Sequence, residues 1–155
     1  MRGRTRFAVL SIGIVGMALL ARCAVNTAAP EPVRQLPRLA PCPNSPNCVS
    51  TLADVTDAEH AIAPILYTSS AAVAKARLLQ VVTAMPRTKL ITDDGNYLHW
   101  EFRSLLFRFV DDVEFQIDDA AKTIHFRSAS RLGQGDLGVN RKRMEEVRAR
   151  FAAPQ

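Results

Sequence analysis

At 155 residues the chain has room for one ordinary domain and a targeting segment. Its formal charge of +5 is concentrated at the start: Arg2, Arg4, Arg6 and Arg22 are four of the 20 basic residues, which leaves 16 bases against 15 acids from Ala24 onward. So balanced a remainder gives no reason to expect a basic face able to neutralise several phosphates, and no nucleic-acid partner is expected.

Met1 to Arg6 forms a charged head, followed by an apolar run of 15 residues from Phe7 to Ala21. At 1.5 Å per residue the run spans roughly 22 Å, short of the ~30 Å hydrocarbon core of a bilayer. Arg22 blocks its extension. Residues 1–23 are therefore read as a secretory signal, with an uncleaved membrane anchor as the alternative. Leu20-Ala21-Arg22-Cys23 resembles a lipoprotein signal, in which Cys23 becomes the lipidated first residue. Arg22 departs from that pattern, because a bulky cation stands where a small residue is usual. Ordinary cleavage after Cys23 is the competing reading. Every one of these addresses is outside the cytoplasm, in the periplasm or on the membrane face that looks into it.

Residues 24–41 contain Pro30, Pro32, Pro37 and Pro41 among small and polar residues. Such a stretch makes neither helix nor central strand, and at ~3.1 Å per residue it reaches roughly 50 Å. It is expected to be a tether ahead of a single domain at 42–153.

That domain opens with Cys42-Pro-Asn-Ser-Pro-Asn-Cys48. Two cysteines in an exported chain are read first as a disulfide, and the Pro and Asn residues between them favour turns. Closing so short a loop stabilises by about 2–2.5 kcal/mol in the chain-entropy model. The alternative is a redox or metal-binding thiol pair. C-x5-C is not the redox spacing, however, and no nearby His completes a zinc set.

Further along, Ile65 to Tyr67 reads as a short strand. Ser69 or Ser70 can cap a helix in which Ala74, Leu78, Val81, Val82 and Met85 recur at helical spacing, ended by Pro86. Strands are expected at Thr88 to Asp93, Tyr97 to Leu105, Phe109 to Asp118 and Thr123 to Arg131, with Asp93-Asp94-Gly95-Asn96 as a hairpin turn. Asp136 can cap a final helix with Leu137, Asn140, Met144, Val147 and Phe151 on one face. The fold class is α+β: a four-stranded, or with the short strand five-stranded, antiparallel meander with helices packed on one face.

Alternation assigns the two faces of the sheet. Leu98, Trp100, Phe102, Val113, Phe115, Ile117, Ile124 and Phe126 point inward, whereas His99, Glu101, Arg103, Asp112, Glu114, His125 and Arg127 point outward. Asp111 breaks the pattern, because it falls in the inner register. With tight hairpins it lies opposite Ser104 on one side and Ser130 on the other. A carboxylate there needs hydrogen bonds or a cation, and Arg131, Asn140 and Arg141 are the nearby candidates. Two readings follow: a polar clamp that pins the last helix to the sheet, or a small polar pocket at the sheet end.

On the outer face, His99 and His125 with Glu101 and Glu114 could in principle hold a metal, but mixed charge across strands is read here as a solvated face of weak ion pairs. Neither a metal nor a cofactor is expected. Gly133-Gln-Gly-Asp-Leu-Gly138 matches G-x-G-x-x-G in form alone. Its strand closes a meander, the 17 residues after Gly138 cannot return to a parallel strand, and Asp136 would repel a pyrophosphate. Turn glycines and an Asp cap account for it.

The chain resembles the family known as domain of unknown function 1499. Carrying the resemblance are Cys42-Pro-Asn-Ser-Pro-Asn-Cys-Val-Ser50, Tyr97 to Ser104, Phe109-Val-Asp-Asp-Val-Glu-Phe115, Arg127-Ser-Ala-Ser-Arg131, Asp136-Leu-Gly-Val-Asn-Arg141 and Arg143. It implies no activity or catalytic residue. What it suggests is that Asp111, Asp112, Arg127, Ser128, Ser130, Arg131, Asp136, Asn140 and Arg141 act as one unit around the sheet end. The leading expectation is a non-enzymatic envelope domain binding a small or lipid-like ligand, or a partner protein, near that end. A hydrolase built on Asp111 with Arg131 or Arg141 is the rival, and a purely structural envelope protein the third reading.

Overall fold

The computed structural model describes residues 38–154. The signal segment, Cys23 and most of the expected tether therefore lie outside the described residues. Eight elements follow in order: β1 (Cys48–Ser50), β2 (Ile65–Leu66), α1 (Ala71–Thr83), β3 (Thr88–Asp94), β4 (Tyr97–Arg103), β5 (Val110–Asp118), β6 (Thr123–Ser130) and α2 (Val139–Ala152).

The sheet has six strands rather than four or five, in the order β1-β6-β5-β4-β3, with β2 also paired to β6. Every named strand pair is antiparallel, as the meander requires. The additional strand is β1, whose three residues are too few to show any alternation. It forms because Cys48 is held to Cys42 by a disulfide, with a Cα–Cα separation of 5.7 Å, and runs beside Ala129 on β6. A parallel bridge from Ser50 to Ala61 then folds the next segment back along the edge.

Helix α1 starts where Ser70 accepts the backbone N–H of Val73 and stops at Ala84, two residues before Pro86. Its Ala74, Leu78 and Val82, with Met144 and Val147 of α2, cover Leu98, Trp100, Val113, Phe115 and Phe126 on the inner face. Trp100 meets Phe115 edge to face at 5.6 Å. Fully burying each large side chain contributes about 1.5–3 kcal/mol, so this layer is the main source of stability. Leu137 does not join it. That residue lies before α2, in left-handed backbone (φ 54°), fully exposed, and the helix face that packs is Asn140, Met144 and Val147.

One register expectation fails. Asp111 lies opposite Phe102, not Ser104, while its pairing with Ser130 holds. The β4–β5 connection is not a tight turn. Ser104 N–H donates to the Phe109 carbonyl at 2.9 Å and Ser104 Oγ accepts the Phe109 N–H at 2.9 Å, closing a loop that leaves residues 105–108 at its tip.

Candidate functional site

The expected polar cluster at the sheet end separates onto two faces. On the inner face Asp111 is buried, and its carboxylate accepts a 2.5 Å hydrogen bond from Arg143. None of the cations expected for it, Arg131 or Arg141, fills that role. Arg143 also donates to Asn140 Oδ1 at 2.7 Å and to Ser128 Oγ at 3.2 Å, and lies 4.7 Å above the Phe102 ring. Its side chain is 10% exposed, that of Asp111 8%.

Asn140 is the hub. Ser128 donates to its Oδ1 at 2.5 Å, and its Nδ2 donates to the Asn47 carbonyl, Ser130 Oγ and Asp136 Oδ2 at 3.0, 3.0 and 2.7 Å. Asp136 in turn accepts the backbone N–H groups of Gly138 and Asn140 and so caps α2 from two residues ahead of Gly138. Asn47 Nδ2 donates to the Gly133 carbonyl at 2.6 Å, tying in the disulfide loop. The start of α2, the ends of β5 and β6 and the cysteine loop are thus sewn together by one satisfied network.

Arg131 belongs to the outer face. It grips Asp112 through Nε and Nη2, both at 2.8 Å, and Glu101 through Nη2 at 2.7 Å, while His99 bonds Asp112 at 2.7 Å. Burial pushes the Asp112 carboxyl up, but the bonds from Arg131 and His99 outweigh this and hold it below its usual range. Arg131 likewise holds Glu101 below its ordinary value, and both carboxylates raise Arg131. Arg127 pairs with Glu114, which also accepts from Tyr97 at 2.6 Å. Arg141 is elsewhere again, donating to the carbonyls of Ala58, Glu59 and Ala61. Asp111, Arg131 and Arg141 therefore do not converge on a common point, and the hydrolase arrangement built on them lacks its geometry.

A second joint escaped the sequence reading. His60 is buried, bonded through Nδ1 to Asp57 at 2.7 Å and through Nε2 to the Ser45 carbonyl at 3.2 Å. The Asp57 bond raises its pKa and lowers that of Asp57.

Beside the Asp111–Arg143 pair a cleft of about 440 Å³ opens between the end of α1, the β4–β5 loop and the first turns of α2. Met85, Phe102 and Val139 give it an apolar floor, and Arg87, Arg103, Lys142 and Arg150 line its walls. Arg103 is paired with Glu101 and Arg150 with Glu146, but Arg87 and Lys142 have no carboxylate partner among the described residues. Of these, only Phe102 and Arg103 fall in the sequence-expected sheet faces. Arg143 appeared in the family pattern without a role, and Asn47 lay unremarked inside the cysteine loop.

These features define an α+β domain whose last helix is clamped to its sheet by a buried Asp–Arg–Asn network beside an apolar, cationic cleft. The chain belongs to the family described as Protein of unknown function (DUF1499), whose model matches residues 38–151. No curated protein matches it.

Proposed function

We propose that this protein is an envelope domain that holds an anionic amphiphile, a molecule with one negative head and an apolar chain, in the cleft at the sheet end. The observation that carries the proposal is the juxtaposition there of an apolar floor with two cations, Arg87 and Lys142, that no carboxylate among the described residues neutralises. The volume falls within the ~300–1,000 Å³ usual for small-molecule sites. Its head would sit between Arg87 and Lys142, with the chain over Phe102 and Met85. Among the described residues lining the cleft, the carboxylate of Glu146 is held by Arg150, which leaves the Arg87 and Lys142 side chains to face a ligand's negative head. An exported location agrees with the Cys42–Cys48 disulfide, since such bonds persist in oxidising compartments.

Titrating the full-length protein with lysophosphatidylglycerol below its micellar concentration tests this. Lys142→Glu should weaken binding by roughly tenfold, equivalent to ~1.4 kcal/mol. Filling the half-exposed floor position with Val139→Trp should weaken it as well. Binding indifferent to both changes would overturn the proposal.

A further inference from the structure

The tip beyond the cleft is unusual for a surface loop. Leu105, Leu106, Phe107 and Phe109 are 76%, 79%, 70% and 49% exposed, in a loop closed by two Ser104–Phe109 hydrogen bonds. Phe107 and Phe109 stack on each other at 5.6 Å, with their rings turned out to solvent. The β6–α2 connection lies beside this loop, because Arg131 N–H donates to the Val110 carbonyl at 3.0 Å. It contributes Leu132 at 68% and Leu137 at 102% exposure. Large exposed apolar side chains gathered at one end of a sheet mark an interaction surface.

Charge identifies the partner. Arg108 sits within the apolar tip without a carboxylate partner among the described residues, and Arg87 and Lys142 line the cleft that Leu105 of the tip also borders. At the opposite end of the sheet, the β3–β4 and β5–β6 hairpins carry Asp93, Asp94, Asp118 and Asp119, of which Asp93, Asp94 and Asp119 are paired with Lys75, Arg38 and Lys122. The far end is thus largely neutralised by its own ion pairs, whereas the tip end presents cations without carboxylate partners among the described residues, so an anionic surface would draw the tip toward itself. No helix among the described residues is long and apolar enough to cross a membrane, so contact through this domain would be peripheral. Exposed apolar side chains beside cations are the composition that enters the interface of an anionic bilayer.

We propose that the β4–β5 and β6–α2 loops form a wedge that inserts Leu105, Leu106 and Phe107 into the headgroup layer of an anionic phospholipid bilayer, with Arg108 against the phosphates. The wedge would place the mouth of the cleft at the lipid surface. This stands whether or not the cleft holds a ligand.

The test uses the full-length chain reconstituted into vesicles of phosphatidylglycerol and phosphatidylcholine, part of the latter brominated along its acyl chains. Trp100 is the chain's single tryptophan and is fully buried, so Phe107→Trp adds a clean reporter at the tip and Ala120→Trp one at the far hairpin. The Phe107→Trp emission should shift to the blue and be quenched by the brominated chains, while that of Ala120→Trp is not. Adding Arg108→Glu, or omitting phosphatidylglycerol, should reduce the quenching severalfold. Equal quenching at both ends, or none at the tip, would overturn the proposal. A blue shift without bromolipid quenching would do so too, since it would mean that a protein surface, a second copy or the chain's own N-terminal region, covers the wedge.

Discussion

Asp111 and Arg143 are 32 residues apart in sequence and meet across the seam between β5 and α2 at 2.5 Å, both nearly shielded from water. The pair turns an inner-face carboxylate, otherwise a liability, into the point at which the last helix is fixed.

A buried pair of this kind is costly to break on one side, because the remaining charge stays buried without compensation. Asp111→Ala should therefore destabilise the domain by about 3–5 kcal/mol in denaturant unfolding. The double variant Asp111→Leu/Arg143→Met removes both charges and should recover most of that loss. Equal losses in the single and double variants would show that the pair is not the clamp.

Arg131 makes more ion pairs than Arg143, yet it should matter far less to stability. Its side chain is 45% exposed and its partners Asp112 and Glu101 lie on the water-facing side of the sheet. Arg131→Ala should cost about 1 kcal/mol or less, and less still at high salt. Unfolding midpoints at low and high salt check this.

The contrast also shows what could be read from sequence and what could not. Alternation placed every large inner side chain from Leu98 to Phe126 correctly, because a period of two leaves no freedom once one face is buried. The same logic flagged Asp111. Its partner was out of reach: Arg131 and Arg141 were nearer in sequence, and only the helical turn from Asn140 to Arg143 brings the third arginine over Phe102. Strand β1 was invisible because its pairing depends on the Cys42–Cys48 bond and on β6, not on any pattern of its own. The cleft was hidden for a related reason. It is bordered by Ser104 and Leu105 of the β4–β5 loop, by the residues that follow α1 and by residues of α2, a tertiary meeting that no local sequence pattern announces.

His60 should give the domain a pH-dependent stability. Its bonds to Asp57 and the Ser45 carbonyl favour the imidazolium, so its folded pKa is raised from 6.5. The contribution is fully present below the unfolded value and is lost as pH rises through the folded one. Asp57, whose pKa is lowered from 3.8, contributes above that value and loses its contribution as pH falls through the folded one. Melting temperatures should thus decline on the alkaline side of the histidine titration, and His60→Gln should flatten that decline. An imidazole resonance titrating at or below 6.5 would contradict the assignment.

Opening the disulfide should loosen more than its own loop. Cys42→Ser with Cys48→Ser should cost about 2 kcal/mol from the released chain entropy. Because Asn47 anchors Asn140 and Gly133, the amides at the start of α2 should also exchange faster. Hydrogen exchange confined to the 42–48 loop would show that the loop and the clamp are independent.

Native mass spectrometry of the full-length protein, expressed with export and purified gently, tests the central claim most directly. The expected spectrum shows the two-hydrogen loss of the Cys42–Cys48 bond and a retained anionic amphiphile, with the retained mass absent from Lys142→Glu. A ligand-free mass that stays unchanged when lysophosphatidylglycerol is added would contradict the cleft as a binding site and leave the sheet end as a structural clamp alone.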